Sequence, residues 1–275
     1  MNLHYIERQY IGEVMVEKIQ YEDDKLKICA PDSLKFIVDD IVSYFYKQCE
    51  KVFNFYHLKS YGKYQINFFD DIDKFRNFVI NDLRNGNNSL PDYAVGTYDK
   101  GMCNQFIELR KDDKGVYVLK DCKAKYISDK VYRRRISTPI HELVHIIYLN
   151  NCVSGSSNLR VVWFDEGLAQ NLSGEYDYLE QDFNEFVKFY NKVKKETKYI
   201  PELKGIKHGN DFRNDNYDLY KLSYLAVRYL FQTMTQDEIY NIVMDYNKTN
   251  EIGKNIMTDM FKYFDNYINN DGGNN

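Results

Sequence analysis

Apolar residues recur at helical spacing between Asp32 and Tyr56: Leu34, Ile37, Ile41, Phe45, Cys49, Val52 and Tyr56 share one stripe that begins after Pro31. The spacing predicts a long core helix, and packing accounts for its aromatic content. Gln65 to Phe69 alternates as a strand does, Ile72 to Leu83 returns to helical period, and Arg84-Asn85-Gly86-Asn87-Asn88 reads as a turn. A strand segment follows at Ala94 to Tyr98, with the apolar stretch Phe106 to Leu109 after it.

A further helix is expected to open near Thr138. Ser137 or Thr138 is placed to act as N-cap, and Pro139 suits the first turn, where a missing N–H costs nothing. Ile140, Leu143, Val144, Ile146, Ile147 and Leu149 then cover most faces of the helix, which predicts its burial. Asn150-Asn151 and the polar stretch Val153 to Asn158 mark its end and a surface loop. Beyond a short helical segment at Trp163 to Gln170 the pattern is almost wholly helical: Phe183 to Val193, Leu219 to Phe231, Asp237 to Met244 and Ile252 to Ile268. The reading is an α+β chain with a sheet-plus-helix lobe over residues 1–150, a helical lobe over 151–268 and a frayed tail over 269–275. No internal repeat or extended linker interrupts it.

Composition narrows the class. An apolar content of 44% over 275 residues can bury a sizeable core. Lys and Arg number 37 against 41 Asp and Glu, a net charge of -4 that gives no reason to expect nucleic acid as a partner. A local basic run, Lys123, Lys125, Lys130, Arg133, Arg134 and Arg135, reads as a solvated face. No apolar run is long enough to cross a bilayer, and Met1 to Lys25 holds charges throughout, so the expected setting is cytoplasmic, with no membrane partner. The five cysteines are scattered without CxxC pairs, as reduced thiols are.

The candidate chemistry lies in His141-Glu142-Leu143-Val144-His145, an HExxH sequence. On a helix, residues four apart differ by about 40° of rotation and roughly 6 Å of rise, so both imidazoles project toward one point. Glu142 is turned partly off that face, as suits a carboxylate that touches an activated water rather than a metal. Downstream, Trp163-Phe164-Asp165-Glu166-Gly167-Leu168-Ala169-Gln170 offers Glu166 as third ligand, with small Gly167 and Ala169 expected to let this helix approach the first closely. Two histidines, a glutamate and one open position make the donor set of a catalytic Zn2+, one per chain.

These two segments, HELVH and WFDEGLAQ, resemble the signatures of the gluzincin metallopeptidases, in particular the peptidase-MA-like branch that includes relatives of the thermolysin and M1 aminopeptidase families. The resemblance covers roughly residues 60 to 235. It implies a thermolysin-like zincin fold in which His141, His145 and Glu166 bind zinc and Glu142 polarises water for attack on a peptide or protein substrate. It also implies an oxyanion donor at Tyr220, with Tyr217 and then His208 as alternatives; the strand at Ala94 to Tyr98 is either a cleft-edge strand that pairs with substrate, as in relatives, or an ordinary internal strand. Two departures matter. No GxMEN-type sequence is present to support aminopeptidase action, which leaves endopeptidase action as the default. Gln170 stands where thermolysin-like enzymes carry an aspartate that orients a ligand histidine; its amide oxygen is a weaker acceptor for that imidazole proton. The competing function is a zinc-stabilised peptide-binding or regulatory module without turnover.

Overall fold

A computed structural model describes residues 18–87, 90–92, 94–122, 129–152, 159–200 and 212–271. At its centre is a five-stranded mixed sheet in the order β1-β2-β3-β5-β4. The strands are β1 (Ile19–Glu22), β2 (Leu26–Cys29), β3 (Tyr64–Phe69), β4 (Gly96–Asp99) and β5 (Met102–Phe106). Strands β2, β3 and β5 run parallel; β1 and β4 are antiparallel edges. The β4–β5 hairpin turns through Lys100 and Gly101, both with positive φ (48° and 76°), so the turn has the twist that a tight hairpin requires.

Helix α1 (Lys35–Phe55) crosses over between β2 and β3, with a short 3-10 turn at Asp32–Leu34 before it. The apolar stripe read from Leu34 to Tyr56 is its buried face. Helix α2 (Ile72–Asn77), capped by Asp71, widens into a π-helical stretch over Phe78–Leu83. Phe75, Phe78, Val79 and Leu83 form a separate small core with Phe69, while Ile66 and Phe68 belong to the main core. Strand β3 is therefore covered on both faces. That explains its near-continuous burial, where the expected alternation would have left one face wet. A second hairpin, β6 (Leu109–Lys111) and β7 (Tyr117–Leu119), follows the sheet.

The helix carrying the HExxH residues differs from expectation at its start. Helix α3 spans Lys130–Ile147 and is capped by Asp129, whose side chain accepts from the backbone N–H groups of Val131 and Tyr132. Neither Ser137 nor Thr138 is its N-cap, and Pro139 lies inside it. An interior proline deprives the carbonyl four residues earlier of its partner. Here Gln105 Nε2, from the adjacent strand β5, donates to the Arg135 carbonyl at 3.1 Å and replaces the missing bond. Tyr64 adds a hydrogen bond to the Pro139 carbonyl at 2.8 Å. The basic residues lie in the first turns of this helix and are not a purely solvated face: Arg133 is buried, Lys130 pairs with Glu185, and Arg134 lies 3.3 Å from Glu175. Lys123 and Lys125 fall outside the described residues.

After α4 (Val162–Leu172) come α5 (Tyr178–Gln181), α6 (Phe183–Glu196), the short pair β8 (Arg213–Asn214) and β9 (Tyr217–Asp218), α7 (Leu219–Thr233) and α8 (Gln236–Val243). Thr235 and Glu238 form a capping box at the start of α8. The helix expected over Ile252 to Ile268 is divided: Ile252 closes α9 (Tyr246–Ile252), and α10 (Ile256–Asp271) starts after a turn through Gly253. One contiguous buried cluster takes in Leu26 and Ile28 of the sheet, α1, α3, α4 and α7, and reaches Phe264 of α10. The fold is α+β, and among the described residues no helix is long and apolar enough to cross a membrane.

Candidate metal centre

Helices α3 and α4 meet so that His141, His145 and Glu166 each offer one donor atom, all within 4.8 Å of one another. Glu166 Oε2 lies 3.3 Å from His141 Nε2 and 3.3 Å from His145 Nε2. The imidazole rings stand nearly perpendicular, with centroids 4.7 Å apart. Three of the predicted residues thus converge, and Glu142 is buried on the same helix beside them.

The other ring nitrogens have carboxylate neighbours. His145 Nδ1 is 2.8 Å from Asp165 Oδ1, a fully buried carboxylate. His141 Nδ1 faces Glu175 Oε2 at 3.4 Å, and Arg134 Nε lies 3.3 Å from the other Glu175 oxygen. An acceptor on Nδ1 fixes the tautomer and leaves Nε2 as the donor toward a cation. Gln170 does not fill this role. It is buried and its amide oxygen has no hydrogen-bond partner among the described residues; Asp165 takes the His145 Nδ1 position, and Glu175 stands at ion-pair distance from His141 Nδ1, which makes no hydrogen bond of its own among the described residues.

Asp165 is not among the expected site residues although it adjoins the predicted ligand; its signal in the sequence is a second carboxylate next to Glu166 in the same helix. Glu175 could not be read from spacing, because a chain reversal delivers it. Helix α4 ends at Leu172, the Ser173 carbonyl accepts from Tyr44 at 2.6 Å, and Gly174 turns the chain at φ +72°. A Cβ on Gly174 would lie 2.6 Å from the Tyr44 hydroxyl, so this approach needs glycine.

Charge is dense and buried. Burial acts to lower the His141 pKa, but Glu166 and Glu175 overcome it and raise the value to about 10. For His145, burial is likewise outweighed, here by Asp165 and Glu166, giving about 9. Burial pushes the Glu166 carboxyl up, yet the two histidines and Arg160 hold it well below its usual range. Glu142 goes the other way: burial raises its pKa, with the histidines opposing.

Strand β4 forms the neighbouring wall. An added Cβ at Gly96 would meet Thr138 Cγ2 at 2.9 Å and Glu142 Oε1 at 3.1 Å. Two residues on, and hence on the same face of the strand, the Tyr98 ring lies 5.4 Å from the His145 ring. Burial raises the Tyr98 pKa, so its phenol stays protonated. Gly167 does not serve the α3–α4 approach expected of it. Its open face receives α7, where Ser223 O and Val227 Cγ2 would lie 2.4 and 2.5 Å from a Cβ.

Tyr220 is half-buried in the first turn of α7, its ring 5.0 Å from Phe212. Tyr217 is half-buried in β9. His208 lies outside the described residues. No family model matches this chain, and no curated protein matches it in sequence.

Proposed function

We propose that the protein is a zinc-dependent metallopeptidase of the gluzincin type, with a zincin fold, acting on peptide or protein substrates as an endopeptidase. The observation that carries the reading is the convergence of His141, His145 and Glu166 beside a buried, non-ligating Glu142. Zinc bonds to nitrogen and oxygen are about 2.0–2.1 Å long, so donors at tetrahedral angles stand about 3.3 Å apart. Both glutamate-to-histidine separations have that value, 3.3 Å. Neutral imidazole and carboxylate are donors suited to zinc.

Bound zinc would supply Lewis acidity, polarising a carbonyl and making water acidic enough to attack near neutral pH. The chain's own residues perform the proton work. Glu142 accepts a proton as the water oxygen adds to the carbonyl carbon, then delivers it to the amine nitrogen as the C–N bond breaks. A carboxyl whose pKa is raised by burial is suited to both steps, holding the proton briefly and returning it. The antiparallel edge position of β4 supports pairing with an extended substrate backbone, with glycine at 96 leaving the approach to Glu142 open. Two phenols compete as oxyanion donor. They are Tyr220, in the first turn of α7, and Tyr98, which is protonated and in ring contact with a ligand histidine.

The test is Glu142→Gln, assayed for metal content and for cleavage of a peptide mixture. Zinc should stay near one per chain while turnover falls by about 10²- to 10⁴-fold, the usual contribution of a general base. Undiminished cleavage by this variant would remove Glu142 from the mechanism. A wild-type protein that holds zinc and peptide but yields no fragments would leave only a binding module.

A further inference from the structure

Arg160 stands two residues before α4 and has no part in the proton chemistry. Its guanidinium spans two neighbouring carboxylates: Nη2 donates to Glu166 Oε1 at 3.1 Å, and Nε donates to Asp165 Oδ2 at 2.5 Å. Each of these carboxylates turns its other oxygen to the histidines. Glu166 Oε2 is the donor atom 3.3 Å from both Nε2 atoms, and Asp165 Oδ1 is the acceptor at His145 Nδ1. We infer that Arg160 is the positioning residue of the metal centre, a fork that limits Glu166 to one oxygen toward the cation and at the same time holds Asp165 on His145. This inference rests on the zinc reading above.

Two physical arguments support it. The first is geometric. A carboxylate with both oxygens free can swing or bind a cation through both, whereas Glu166 with Oε1 held by a guanidinium presents Oε2 alone. A guanidinium reaches the two carboxylates from separate nitrogens, Nε and Nη2, in a fixed plane, whereas a lysine ammonium gathers its three donors on one atom and does not reproduce that spacing. The second is electrostatic. Glu142, Asp165, Glu166 and Glu175 are all buried and close together. With neutral imidazoles, Arg134, Arg160 and one divalent cation balance these four negative charges. Removing Arg160 leaves a fully buried Asp165 with a neutral ring and no cation, which buried charge tolerates poorly. The single guanidinium therefore couples the anionic ligand to the orientation of a histidine ligand.

The experiment compares wild type, Arg160→Lys and Arg160→Ala as full-length chains. Zinc affinity is read by competition with a chromophoric chelator, and the visible spectrum is recorded after loading with Co2+. Wild type should bind one ion tightly, and both variants should lose about 10- to 100-fold in zinc affinity, the range expected when a group that orients ligands is removed. Their Co2+ absorption should weaken as the released Glu166 raises the coordination number. Millimolar guanidinium ion should restore affinity and spectrum to Arg160→Ala. If Arg160→Ala does not fold, Arg160→Lys retains the charge and gives the comparison alone. Zinc affinity within twofold of wild type, or an unchanged Co2+ spectrum, in the folded variants would overturn the inference. A wild-type chain that binds no zinc would overturn the metal reading along with it.

Discussion

Replacing Gly167 with alanine tests whether the metal ligand depends on the contact between α4 and α7. Alanine is the better helix former by roughly 1 kcal/mol, so local propensity alone predicts a gain. The packing opposes it. A Cβ at this position would lie 2.4 Å from the Ser223 carbonyl oxygen, 2.5 Å from Val227 Cγ2 and 2.9 Å from the Ser223 carbonyl carbon. Two of these three atoms are helix backbone and cannot rotate aside. Ordinary carbon contacts begin at about 3.5 Å, so α4 and α7 must separate by about 1 Å. Overpacking of this kind costs about 1–3 kcal/mol, and a shift of about 1 Å exceeds the roughly 0.5 Å tolerance of a working site. Steric cost therefore wins over propensity. Glu166, the preceding residue, moves with the helix, and zinc affinity should fall by about tenfold or more. Urea unfolding of the metal-free protein reads the stability term, and chelator competition reads the affinity. An alanine variant as stable as wild type, with zinc bound as tightly, would refute the close approach of these helices.

A second expectation concerns Gly96→Ala, whose Cβ would press on Glu142 Oε1 without touching a ligand. Peptide cleavage should drop by about 10- to 100-fold at full zinc content, and unchanged kcat/KM would remove β4 from the wall of the site. A third concerns pH. In the metal-free chain the folded values of His141 and His145 are about 10 and about 9, above the ordinary histidine value of 6.5. Groups raised on folding add stability that is fully present below pH 6.5 and disappears as pH climbs through 9 and 10. The thermal midpoint of the metal-free protein should fall across that window. Zinc requires both rings neutral, so uptake near pH 7.5 should release about two protons per ion. Calorimetry in buffers of different ionisation enthalpy counts them, and a value near zero would contradict the charge balance of the site.

Helical and strand periodicity located most of the elements, because a segment that buries one face writes its period into the sequence. The stripe from Leu34 to Tyr56 is α1, and the ligand pair His141 and His145 needed only the helix rise to be placed on one face. Boundaries were less legible where a distant residue supplied the missing partner. Pro139 reads as a helix start, and only Gln105 from β5 makes it tolerable in the middle of α3. Strand β3 reads as half-exposed, and only α2 covering its second face makes it fully internal.

Two imidazoles on one helix face with a glutamate beside them follow from spacing in the chain, since residues four apart on a helix are neighbours by local geometry. Which other groups surround the site, apart from Asp165 beside Glu166, follows from packing between elements. Glu175 arrives through the left-handed turn at Gly174, Tyr98 through the register of β4 against β5, and Arg160 through the approach to α4. None of these contacts has a sequence period, because each joins elements whose relative placement is set by the shared core. The same core decides that Gly167 receives α7, a neighbour more than fifty residues away along the chain.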